Sequence, residues 1–177
     1  MVERPLQARP ERTAILRQLR NLLPKLSDPL EVVAEQILGL ESRSDFVARD
    51  RRGQVVLVFL AEPGSDLRLL ADALAQRSWM EPRVADWLKL APQLGLRPEL
   101  GVRLLLLASR FDPRTIAAAK NIEGALVDLG TCQPSWNGAG AEILLEAQDT
   151  PPPAPAAPAE AFAPRFRTGL RAEDLGS

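Results

Sequence analysis

Any metal chemistry in this sequence has to come from carboxylates. The 177 residues contain no histidine and a single cysteine, Cys132. That excludes Ser-His-Asp and Cys-His catalysis, a cysteine-rich zinc site and an internal disulfide framework. A metal-dependent reaction would have to use Asp and Glu oxygens, a donor set suited to magnesium or manganese. The acid best placed for it is Asp45, at the head of the β-rich run "DFVARD", which "RRG" joins to a second run, "QVVLVFLA". Together they read as a hairpin, with Arg43 two residues before the acid and Asp50 and Gly53 around the turn. The structural alternative is that Asp45 caps the strand or pairs with Arg43. Cys132 has no basic neighbour to activate it, and no cofactor is expected.

The elements that must position these residues follow from periodicity. Ile15, Leu16, Leu19, Leu22 and Leu23 recur at helical spacing, and Pro24 limits that helix. "SDPLEVVAEQILGL" then carries helix-start signals: Asp28 as cap, Pro29 at the first helical position, Glu31 three residues after the cap, and Gly39 as the stop. After the hairpin, "GSDLRLLADALAQRSWM" reads as a helix with Leu67, Leu70, Leu74 and Trp79 inward. The stretch from Glu81 to Gly101 is ambiguous. "VRLLLLAS" is a buried strand. "FDPRTIAAAKNIEG" is a helix capped by Asp112, with Pro113 at its first position and Gly124 as its stop. "ALVDLG" is a strand that completes a parallel β-α-β unit. "TCQPSWNGAG" reads as a loop and "AEILLEAQ" as a last, edge strand. The expectation is an α/β fold with a mixed central sheet of about five strands flanked by helices. "ASRFDPRT" lacks the glycines of a dinucleotide-binding turn.

In this order, "RSDFVARDRRGQVVLVFLA" resembles the restriction-endonuclease-like PD-(D/E)xK superfamily, in its RecB-like and mismatch-endonuclease-like branch. The resembling residues are Arg43, Asp45, Asp50, Gly53 and the following apolar strand, and further on "FDPRTIAAAKNIEGALVDL". The resemblance covers about residues 29–145 and implies a restriction-endonuclease-like topology. It also implies a phosphodiesterase site in which two carboxylates hold a divalent cation and a lysine on the same strand face orients water. Residues two apart share a strand face, so the family's second acid and lysine map onto Phe59 and Ala61. Neither side chain can ligate a metal or stabilise negative charge. Asp45, Phe59 and Ala61 are therefore read as a vestigial site, with no catalytic and no metal-binding residues. If the site had migrated, as it does in some members, its members would be Glu31, Glu35, Asp66, Arg68, Asp72 or Arg77.

The expected function is a catalytically inactive nuclease-like domain that binds nucleic acid or supports a nucleic-acid-processing complex. The candidate contacts are Arg43 before the hairpin and Arg12, Arg17 and Arg20 on a locally basic N-terminal segment that also holds Arg9 and Lys25. Trp79, Trp87 and Trp136 are candidate stacking residues, Trp136 the most exposed of them. The alternative is a protein-interaction module. From Thr150 the sequence becomes "TPPPAPAAPAEAFAP", which cannot bury a core and is expected to be disordered. It leads to Phe162, Arg165, Phe166, Arg167 and Leu170, candidates for docking a protein partner. The division is then a domain over 1–149, with a basic helix in 1–27, and a linker with a short docking tail over 150–177. The net charge of −1 gives no global basic field. The opening stretch is too charged for a signal peptide, the apolar runs are too short for a membrane span, and a cytoplasmic protein is expected.

Overall fold

The structure, a computed structural model, describes residues 11–39, 42–122, 126–136 and 141–147. Its centre is the run "VVLVFL", strand β3 (Val55–Leu60), in which every residue is buried. A strand apolar on both faces must be covered on both sides, and the rest of the fold supplies the two covers. β3 lies inside a six-stranded sheet whose spatial order is the chain order. The first three strands form an antiparallel meander: β1 (Glu31–Glu35), β2 (Phe46–Arg49) and β3. β4 (Val102–Ala108) lies parallel to β3, and β5 (Val127–Trp136) parallel to β4. β6 (Ala141–Ala147) returns antiparallel to β5 at the edge. The two parallel connections are helical, as parallel pairing requires. Helices α2 (Asp66–Met80) and α3 (Val84–Leu90) link β3 to β4, and α4 (Pro113–Lys120) links β4 to β5.

Strand alternation divides the core into two clusters. Val55, Leu57 and Phe59 of β3, with Leu104 and Leu106 of β4, face α2, α3 and α4, where Leu70, Ala73, Met80, Val84 and Ala119 meet them. Val56, Val58 and Leu60, with Phe46, Ala48, Leu107, Cys132 and Ile143, face the other way. That second face is covered by one helix, α1 (Arg12–Leu22), and the 3₁₀ turn after it, through the fully buried Leu19 and Leu23.

The hairpin turn accounts for the "DRRG" motif. Asp50 accepts from the backbone amides of Arg52 and Gln54, both at 2.9 Å. Gly53 takes φ +85°, and the Gly95 carbonyl lies where its side chain would begin. Asp50 is thus spent on turn amides. At Asp112 and Pro113 the expected helix start is present, with the Asp112 carboxylate accepting from Arg114 N at 2.8 Å.

Four expectations change. Residues 29–39 do not form a helix: 31–35 are β1, where Val32 and Val33 favour an extended chain and pairing with β2 overrides the local cap signals. Asp28 caps nothing and reaches Arg103 instead, at 3.0 Å. The expected loop from Thr131 continues β5 through Trp136, paired with the whole of β6, which raises the sheet to six strands. Leu67, expected inward, is 45% exposed, because α2 turns Leu70 and Ala73 to the sheet.

Candidate functional site

Asp45 sits just before β2, buried, where the hairpin meets α1. Its amide donates to the Val58 carbonyl at 3.0 Å, and its own carbonyl accepts from Gln36 N at 2.9 Å. The carboxylate does two further things. Oδ2 accepts from Leu60 N at 2.7 Å, closing the hairpin ladder at the end of β3 where backbone pairing stops. Both oxygens also accept from Nη2 of Arg12, at 2.8 and 2.9 Å. The other guanidinium nitrogen, Nη1, donates to the Leu60 carbonyl at 2.9 Å. One arginine from α1 therefore spans the acid and the strand end, and a positive charge is already fixed against Asp45.

Phe59 and Ala61 share a face, as the strand period requires, and that face is the helix-covered one. Phe59 is 1% exposed in the first cluster, and Ala61 packs against the same cluster. Neither offers a polar atom from its side chain. The acids considered for a migrated site are engaged elsewhere. Glu31 holds Arg49 across the β1–β2 edge at 2.6 Å, and Glu35 pairs with Arg20 at 2.9 Å. Asp72 faces Arg68 along α2, and Arg77 donates to the Val102 carbonyl at 2.8 Å. Asp66 opens α2 and accepts from Asp112 N at 2.8 Å, tying the helix start to the loop after β4. Burial pushes its carboxyl up, but the neighbouring Thr115 hydroxyl and the amides of Asp112, Asp66 and Leu67 outweigh that and hold it below its ordinary value. Among the described residues, no three Asp, Glu or Cys side chains converge to hold a metal ion.

Two of the four candidate arginines are ion-paired within the chain. Arg12 is committed to Asp45, and Arg20 to Glu35. Arg17 and Arg43 are exposed, without an ionic partner among the described residues. Arg43, the expected mate of Asp45, instead lies in a β-bridge with Leu38. The Trp79 ring is stacked by the Arg83 guanidinium, 4.2 Å from its centroid, which occupies a face that a base would need. Trp87 is half-buried. Arg9, Gly124, the Trp136 side chain and the docking candidates Phe162, Arg165, Phe166, Arg167 and Leu170 lie outside what the structure describes.

Sequence reasoning missed a second feature. On the face covered by α1, the sheet is left open beside the 23–30 turn, forming a groove of about 390 Å³. Leucines form its walls, among them Leu26, Leu105, Leu107 and Leu145. At one end Arg103 lies between two acids, with Nη2 3.0 Å from Asp28 and Nε 3.3 Å from Asp128. Arg103 Nε is buried without a well-aligned hydrogen bond. Burial raises the Asp128 carboxyl above its ordinary value; Arg103 opposes the shift and Asp28 adds to it. The signals were present in the sequence: Arg103 interrupts "VRLLLLA" and Asp128 interrupts "ALVDLG". Among the described residues no helix is long and apolar enough to cross a membrane.

No protein-family model matches the chain, and no curated protein matches it. Among solved structures it is similar to SfsA of Pyrococcus furiosus in complex with Ca2+, with 15% identity and a TM-score of 0.37. The match covers 75% of this chain and 58% of that one, so the chain spans under two thirds of its neighbour's length.

Proposed function

We propose that this chain is a nuclease-like domain that works by binding and does not cut. The observation that carries the reading is the Arg12 guanidinium laid across Asp45 and Leu60. A divalent cation at Asp45 would have to displace a charge-assisted pair already bonded to both oxygens. It would gain only one carboxylate, where such ions need several oxygen ligands. The meander followed by parallel helical crossovers supports the nuclease-like ancestry that the hairpin motif implies. Phe59, buried in the core, and Ala61, packed against it, are the counterpart of that ancestry without its chemistry.

The ligand of the first reading is nucleic acid, met chiefly by Arg17 and Arg43, because Arg12 and Arg20 are already neutralised. Two free phosphate contacts give a shallow salt dependence, a log–log slope of about −2. Plasmid incubated with the protein and Mg2+ or Mn2+ should stay intact. Cleavage that disappears in Asp45→Ala would overturn the reading. The second reading is a protein-interaction module, and the leucine-walled, acid-rimmed groove favours it. A partner for that surface would combine apolar side chains with basic ones.

A further inference from the structure

We propose that the groove beside the 23–30 turn is filled by the chain's own segment Phe162–Leu170, folded back onto the sheet. The inference rests on the reading of the groove as a protein-docking surface, and it names the resident occupant.

Three observations converge. The first is where the chain leaves the sheet. Leu145 and Glu146, among the last residues of β6, themselves line the groove. Residues 148–161 separate that rim from Phe162. At roughly 3.1 Å per residue for proline-rich chain they reach up to ~40 Å, ample for a site at the point of departure. Tethering at this range gives an effective concentration on the order of millimolar, which a separate partner would have to match.

The second observation is charge. Two carboxylates on the groove, Asp28 and Asp128, flank a single guanidinium, Arg103. From Ala161 to Ala172 the sequence reads "AFAPRFRTGLRA", with Arg165, Arg167 and Arg171 and no acid. A guanidinium arriving at Asp128 would stabilise a carboxylate that burial now disfavours. The third is the wall. Leu105 and Leu145 are half-buried apolar side chains of the sheet that line the groove, and Gly130 beside them carries no side chain. Phe162, Phe166 and Leu170 supply the apolar counterpart.

The test uses the full chain with Thr168→Cys carrying a nitroxide spin label. Cys132 stays unlabelled, because burial pushes its thiol up to about 11 and encloses it. The expected result is broadening of the Leu26, Leu105 and Leu145 methyl signals at least fivefold beyond that of Leu90, an 85%-exposed residue on α3. Phe162→Ala with Phe166→Ala should abolish it. Weak broadening spread evenly over the surface overturns the proposal. So does broadening seen only when spin-labelled chains are mixed with isotope-labelled, spin-free ones, which would make the occupant a second copy. A synthetic peptide of residues 160–172, added to the Phe162→Ala, Phe166→Ala chain, reports on the groove itself. If the peptide shifts Leu105 and Leu145 while the spin label finds nothing there, the resident-segment proposal falls and the docking surface stands. If the peptide shifts neither, both fall.

Discussion

The two faces of the sheet are made by the same strands, residue by alternate residue, yet they are covered in opposite ways. The face that takes Val55, Leu57 and Phe59 lies under three helices and joins buried residues of seven elements into one cluster. The face that takes Val56, Val58 and Leu60 lies under α1 and a short turn, and beyond that cover the leucines of β4 and β6 line a groove. Each face has its own polar groups: Asp66, Gln76 and Thr115 are buried under the helices of the closed side. Arg12 with Asp45, and Arg103 with Asp28 and Asp128, belong to the sparsely covered side. On the closed face Phe59 and Ala61 serve only packing. The other face carries both of those ion-paired clusters, one of them at the end of the groove.

Substitutions can break this contrast, and the largest effect belongs to the closed face. Phe59→Ala should cost about 3–5 kcal/mol in denaturant unfolding, because a fully enclosed ring leaves a cavity. Leu105→Ala on the groove wall should cost under about 1.5 kcal/mol, since much of that side chain already meets solvent. Equal losses would mean that the groove is covered as tightly as the core.

Next comes the hairpin clamp. Arg12→Met strips Asp45 of its partner and should cost ~1–2 kcal/mol, less than a fully buried pair because the Arg12 side chain is 40% exposed. Adding Asp45→Asn should recover part of the loss, as the amide oxygen can still accept from Leu60 N. A double-mutant cycle with no coupling would show that the two side chains do not hold each other.

Asp66→Asn should cost about 1 kcal/mol at neutral pH. Its folded carboxyl lies below the unfolded one, so this stabilisation is present above the unfolded value of 3.8 and is lost as pH falls through the lowered folded value. Acid unfolding of the variant should therefore lose part of its slope below about pH 4. The smallest effect has the opposite sign. Asp128 is raised when folded, so the native state binds the extra proton, and stability falls as pH rises from 3.8 through the raised value. Asp128→Asn should flatten that decline. If the slope is unchanged, the groove end is already solvated.

How much of this was legible beforehand varies by element. The Asp112–Pro113 helix start, the β3 run and the hairpin turn at Asp50 and Gly53 could be read because each is a local matter of backbone chemistry. At Asp28–Pro29 the same kind of signal misled. The cap chemistry is real, but β2 offers Val32 to Glu35 a ladder of hydrogen bonds, and the chain follows the ladder. Pairing with β6 likewise draws Thr131 to Trp136 out of the expected loop. Asp45 was legible as a candidate, and its partner was not: Arg43 is two residues away, while Arg12 is thirty-three residues away and arrives only when α1 packs across the sheet.

By itself the sequence determined which side chains are on offer at the hairpin. Without histidine, and with Phe59 and Ala61 on one face at the end of the central strand, side-chain identity alone decides that these positions offer no metal ligand and no charge. It also determined the central strand, because a run apolar on both faces has to be covered on both. Only the tertiary structure decided which charge meets Asp45, which face closes, and that Arg103, Asp28 and Asp128 share one end of a groove. Those pairings join residues tens of positions apart. They depend on how helices cross the sheet, and no local pattern of residues encodes that crossing.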